Sequence, residues 1–321
     1  DANSFAAGEE AMALASGLEA GDHMVFLVSG GGSALFESPV IPPEELLSVT
    51  RQLLACGADI VEINTIRKRL SAVKGGRFAQ LCAPAEVFSV VLSDIIGDPL
   101  DMIASGPACP DPATCAQAME IAEKYCLTLS AAAREALGRE TPKYLDNTET
   151  RITGSVRELC AAAGQVCTSL GYQTIFLTDQ MCCEAREAGY FLASVARARQ
   201  DTEKALAFIA GGETVVHLTG NGKGGRNQEL ALSAAAGLRE TRDTLLLSLG
   251  SDGTDGPTDA AGGIVDGSTA EKLEEKGVSI YQALRQNNAY PALAAVDGLI
   301  MTGPTGTNVN DVAVLLIKRP R

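Results

Sequence analysis

The sequence predicts an α/β protein of two domains, the first built on a mostly parallel sheet. Three observations carry this. Apolar runs at 24–28 and 87–92 have the length of buried strands, and glycine- or aspartate-bearing turns follow both. Segments of helical length separate the strand candidates, the rhythm of parallel sheets. The chain has 321 residues, 46% of them hydrophobic, enough for two cored domains.

The elements follow in order. Residues 6–18 are Ala-rich and close on Gly21 and Asp22, a helix. The run 24–28 reads as a strand buried on both faces and ends in a glycine turn. Pro42, Pro43, Glu44 and Glu45 open a helix to about Ala55. Residues 60–70 look helical, and another short helix follows Lys74, Gly75 and Gly76. The strand 87–92 leads into Ser93 and Asp94. Residues 141–150 are polar, contain Pro142 and lack a clear period, so the domain boundary is placed there, dividing 1–150 from 151–321. The second domain reads as a helix at 155–170, a strand at 173–177 and a helix at 183–199. Further strands are expected at 205–209, 214–218, 244–249 and 313–317.

Composition narrows the function. The formal net charge is −14, aromatic residues make up 4%, and Trp is absent. Such a chain is a poor partner for nucleic acid or an anionic membrane surface. No run is long and apolar enough to span a bilayer. The 9 cysteines include no C-x-x-C pair, which points to reduced thiols and a cytoplasmic setting.

Two glycine-rich segments of opposite charge dominate the second half. The basic one, 220–226, contains Lys223, Gly224, Gly225 and Arg226 and runs into a helical segment beginning near Asn227. Backbone N–H groups, the helix dipole and a cation there suit phosphate, though the spacing is not that of a P-loop. The acidic one carries Asp252, Asp255 and Asp259; short carboxylate spacing on glycine turns suits magnesium, and a solvated turn is the bland alternative. Together they suggest metal-assisted phosphoryl chemistry. In the first half, Ser29, Gly30, Gly31, Gly32 and Ser33 follow a strand and suit either an anion held by backbone N–H groups or an ordinary turn. Residues 67–77 carry five cations, on an anion-facing or a solvated surface. Asp94 and Asp98 sit at a strand's carboxyl end, where ligands bind in open sheets. Of two histidines, His217 lies in an apolar pattern and reads as structural.

These pieces, with the runs at 104–107, 211–214 and 302–311, resemble in order the type II glycerate 2-kinase family, whose C-terminal part is the MOFRL domain. The resemblance implies a Rossmann-like α/β/α first domain, a mixed α/β MOFRL-like second domain, and a site in the cleft between them. It implies phosphorylation of glycerate by ATP with Mg2+, giving 2-phosphoglycerate. Arg226, Asp94 and Asp252 fall on the family's functional positions. Ser29, Gly30, Gly31, Gly32, Ser33, Arg67 and Ser105 are assigned to glycerate, Lys223, Gly224, Gly225 and Asn227 to the nucleotide, and Asp252 and Asp255 to the metal. Arg69 stands where the family usually has histidine. The family carries about a hundred residues before a His-Pro-x-Pro-Asp segment, among them a lysine in Gly-Lys-Ala. This chain starts at what matches that final aspartate, so the first domain is expected to be incomplete and the chain inactive alone. A homodimer is compatible with the sequence. The rival readings are a hydroxypyruvate reductase, which needs a nicotinamide site and finds no G-x-G-x-x-G after a strand, and a non-catalytic binding fragment.

Overall fold

A computed structural model describes residues 2–319, and Asp1 lies outside them. The chain divides into two compact units, Asp1–Thr153 and Gly154–Arg321.

The first unit is a three-stranded sheet with helices. Helix α1 (Ala2–Ala15) precedes β1 (His23–Val28) and the one-turn α2 (Gly32–Leu35), and α3 (Pro43–Ala55), α4 (Ile60–Arg69) and α5 (Arg77–Cys82) follow. Then come β2 (Glu86–Leu92), α6 (Cys115–Lys124), α7 (Ala131–Leu137) and β3 (Thr148–Gly154). The sheet order is β1-β2-β3. β1 and β2 pair in parallel, from His23 opposite Glu86 to Val28 opposite Val91. The segments after both strands therefore leave the same sheet edge, which places 29–33 beside 93–98. Helix α4 starts with a capping box: Asp59 accepts from the Glu62 amide at 2.8 Å and Glu62 accepts from the Asp59 amide at 3.1 Å. It packs Ile63 and Ile66 against Leu46, Val49 and Leu53 of α3.

The expectation that β1 is buried on both faces is corrected. Its exposure alternates, with Val25 62% and Leu27 74% exposed, so one face of this sheet is open. Part of the polar run 141–150 is strand, since β3 begins at Thr148.

The second unit continues with α8 (Val156–Ser169), β4 (Gln173–Met181), α9 (Ala185–Ala198), β5 (Leu206–Gly212), α10 (Arg226–Leu238), β6 (Thr244–Gly250) and β7 (Gly262–Asp266). Three short helices, α11 (Thr269–Glu275), α12 (Ile280–Arg285) and α13 (Ala289–Ala294), precede β8 (Leu299–Ile300) and β9 (Asp311–Ile317). The sheet is mixed, in the order β4-β5-β9-β6-β7-β8, with β4 and β5 parallel and β9 antiparallel to both β5 and β6. Alternation along β9 splits the core: Ala313, Leu315 and Ile317 pack with α9 and α10, while Val312 and Val314 pack with α8.

Residues 214–218 are not a strand. They make one bridge, Val215 with Glu184, because β5 ends at Gly212, whose φ of 152° brings its Cα against the Met181 backbone. His217 is accordingly not a buried strand residue: its side chain is 76% exposed and lies 3.4 Å from Glu184.

Candidate active site

In the first unit the sheet edge assembles one set of the expected residues. A Cβ on Gly30 would stand 2.4 Å from Asp94 Oδ2, and one on Gly32 would stand 2.7 Å from the Ala104 methyl. Only glycine lets this turn approach the carboxylate so closely. Gly31 adopts a left-handed φ of 81° and precedes α2. Ser33 and Ser105 share a hydroxyl–hydroxyl hydrogen bond of 2.9 Å, and Ser105 donates onward to Asn64 at 2.9 Å. Ala104, Ser105 and Gly106 all have positive φ, a strained run held by its surroundings. Arg67 Nη2 and Lys74 Nζ each donate to the Ser33 carbonyl at 2.9 Å. Lys74 also bonds the Phe36 carbonyl at 3.0 Å, and burial lowers its ammonium to about 8 against the pull of Glu37.

The cation-rich run 67–77 is thus not a solvated face. Lys68 is buried between Asp101 at 2.9 Å and Asp111 at 3.1 Å, and Arg69 reaches Asp111 and Glu140. Arg67 braces the glycine turn.

In the second unit Arg226 opens α10, and its guanidinium is clamped. Nε and Nη2 meet the two oxygens of Asp311 at 2.5 and 3.1 Å, and Nη1 meets Glu213 at 3.0 Å. Burial opposes the charge, but Asp311 and then Glu213 outweigh it and hold the guanidinium above its ordinary range. One third of the side chain stays exposed. Asp252 lies beside this pair: a Cβ on Gly250 would touch Asp252 Oδ1 at 3.2 Å and Asp311 Oδ1 at 3.4 Å. Asp252 Oδ1 accepts from the Thr254 amide at 2.9 Å, and the Ser251 amide and hydroxyl tie the acidic turn to Asn310 and Val309.

Asp255 is placed differently from its metal assignment. Its oxygens accept from the backbone amides of Asn227 at 3.2 Å and Gln228 at 2.8 Å, so it fills the N-terminus of α10. Burial raises it to about 6 despite these donors. Asn227 is buried too, donating to Asp255 and accepting from Ser248 at 2.6 Å. The helix start expected to receive phosphate therefore already holds a carboxylate, and Asn227 faces that carboxylate. Gly225 is the N-cap and leaves room for Asp255, whose Cγ would lie 2.3 Å from a Cβ there. Gly224 packs on α13, and Lys223 rests 4.1 Å above the Tyr290 ring, whose hydroxyl donates to Asp259 at 2.7 Å.

Among the described residues no group of three or more His, Cys, Asp or Glu is arranged to hold a metal ion. Magnesium needs less: it keeps waters and takes one or two carboxylates with substrate phosphates. Asp252 fits that role, with Asp311 beside it. Sequence reasoning missed Asp311, Glu213 and Asn64. Glu213 and Asp311 fall in the runs 211–214 and 302–311 that carry the family resemblance, but neither was given a role in a site.

An arginine fixed by carboxylates at a helix start, with a further aspartate beside it, is equipment for handling phosphoryl groups, as in small-molecule phosphotransferases. Residues 1–138 match the family described as a domain of unknown function, DUF4147, and residues 206–311 match the MOFRL family. A D-glycerate 2-kinase of Thermotoga maritima is 49% identical over 99% of this chain and 78% of its own length. A crystal structure of a glycerate kinase from that organism has a TM-score of 0.96, at 49% identity, over 99% of this chain and 78% of that one. A glycerate 2-kinase of Pyrococcus horikoshii is 38% identical over 100% of this chain and 76% of its own length. A putative hydroxypyruvate reductase of Agrobacterium vitis is 37% identical over 99% and 75%. The chain belongs to the glycerate 2-kinase family.

Proposed function

We propose that the protein transfers the γ-phosphoryl group of ATP to the 2-hydroxyl of glycerate, giving 2-phosphoglycerate and ADP. The observation that carries this is the Arg226 guanidinium held by Asp311 and Glu213 beside Asp252. A cation already oriented costs no reorganisation when charge builds on a transferring phosphoryl group. The relatives named as glycerate 2-kinases support the choice of substrate.

Glycerate is assigned to the first unit's set. The glycine turn 29–33 offers backbone N–H groups to its carboxylate, with Arg67 and Lys74 holding the turn from behind. Ser33 offers its hydroxyl, held from behind by the fully buried Ser105, and Asp94 accepts the proton of the 2-hydroxyl as its oxygen bonds to phosphorus. The bond from phosphorus to the β–γ bridging oxygen breaks, and that oxygen leaves on ADP. The nucleotide's phosphates are assigned to Arg226 and Lys223, while Gly224 and Gly225 are taken up by packing against α13 and Asp255. Asp252 would hold Mg2+, which when bound neutralises phosphate charge.

The test is ADP release by the natural protein carrying this sequence, with glycerate and magnesium ATP, beside an assay with hydroxypyruvate and NADH or NADPH. Glycerate-dependent ADP release with no loss of nicotinamide absorbance supports the reading. Cofactor oxidation without ADP release overturns it in favour of the reductase.

A further inference from the structure

The first unit holds a cluster of cations that this reaction does not use. A cavity of about 520 Å³ is lined by Arg69, Arg77 and Arg139, with Val40 and Leu81 on its apolar side. Three guanidiniums around one cavity are unusual in a chain of formal charge −14. Arg77 Nη1 donates to the carbonyls of Lys68, Arg69 and Ser71 at 3.2, 3.1 and 2.6 Å. Among the described residues no carboxylate forms an ion pair with it. Burial, then the charges of Arg69 and Arg139, lower its pKa. Arg69 is fully buried, and its Nε has no hydrogen-bond partner. The one carboxylate on the wall, Glu140, is shared among Arg69 at 3.3 Å, Lys143 at 3.0 Å and the Cys115 amide at 2.9 Å. Arg139 pairs with Glu135 at the surface. Arg69 also meets buried Asp111 at 3.5 Å, so among the described residues Arg77 is the guanidinium on this wall that no carboxylate pairs.

We propose that this cavity binds a small phosphorylated metabolite, a phosphate monoester gripped by Arg77 and Arg139 with its carbon part against Val40 and Leu81. The volume lies within the range of small-ligand pockets, about 300–1,000 Å³. Guanidinium forks match phosphate oxygens in shape and charge, and buried Arg69 adds its field. The cavity is not the glycerate set. Arg67 and Arg69 are two positions apart on α4 and leave it on nearly opposite sides, Arg67 towards Ser33 and Arg69 towards this wall.

The experiment is calorimetric titration of the natural protein with glycerol 3-phosphate, malate and glycerol, repeated with saturating glycerate and ATP. Arg139→Ala and Gln80→Glu are the variants, because both positions are exposed and Gln80 also lines the cavity. Glycerol 3-phosphate should bind saturably, unaffected by glycerate and ATP, with malate at least about tenfold weaker and glycerol silent. Each variant should weaken it by about tenfold, the scale of one charged hydrogen bond, with melting temperature and kinase turnover unchanged. No saturable binding, equal binding by both variants, or displacement by glycerate or ATP would overturn the site. Malate binding as tight as the ester would overturn the phosphate assignment.

Discussion

Arg226 shows how one side chain is prepared for a task. All three guanidinium nitrogens have carboxylate partners, two of them on Asp311. Arg226→Ala should lower kcat by about a hundredfold or more while leaving the glycerate KM nearly unchanged, because the group acts on developing phosphoryl charge. Steady-state kinetics checks this, and near wild-type turnover would make Arg226 a surface residue. Asp311→Asn keeps the shape but loses the charge that holds the fork. It should lower kcat less than Arg226→Ala does, and an unchanged kcat would remove Asp311 as a positioning residue.

Asp255 gives a residue-level test of stability. Its carboxyl rises from the ordinary 3.8 to about 6 on folding. Between those pH values the native state binds a proton that the unfolded state has lost, so this group makes stability fall as pH rises through the window. Asp255→Asn removes that slope. Urea midpoints measured from pH 4 to 7 should fall more steeply in the wild type than in the variant, and parallel curves would contradict the buried placement. The sequence showed Asp255 as a carboxylate on a glycine turn. It could not show that the turn folds back onto the amides of Asn227 and Gln228, a contact across about thirty residues.

At the scale of elements, legibility followed local signal. Helix α4 was legible as the helical segment 60–70, although its Asp59–Glu62 capping box was not picked out, and β1 and β2 were legible because each is a short apolar run. Their parallel pairing, which sets Asp94 against Gly30, follows from the alternation of strands and helices. Residues 214–218 misled because Val215, Val216 and Leu218 are β-type residues, yet Val215 and Leu218 face solvent after the sharp turn at Gly212. The start of β3 was hidden by its polar side chains on an exposed strand. Helices α9 and α10 meet at Gly189, where a Cβ would lie 2.0 Å from Ser233 Oγ and 2.2 Å from the Leu230 carbonyl. Gly189→Ala should force these helices apart and cost about 1–3 kcal/mol, read as a lower thermal midpoint. An unchanged midpoint would show that the helix contact gives way freely.

At the scale of the molecule, the order of glycine-rich and charged motifs along 321 residues already marked the family, and the relatives bear this out. Composition argued against nucleic-acid and anionic-membrane partners without naming a substrate. Assignment to the 2-hydroxyl of glycerate rests on the relatives named as glycerate 2-kinases, so the direct measurement concerns the product. The natural protein should be incubated with glycerate and magnesium ATP and the mixture read by phosphorus NMR against authentic 2- and 3-phosphoglycerate. The 2-phosphoglycerate resonance should grow as the γ-phosphate resonance of ATP declines. Growth of the 3-phosphoglycerate resonance, or ATP loss yielding only inorganic phosphate, would contradict it.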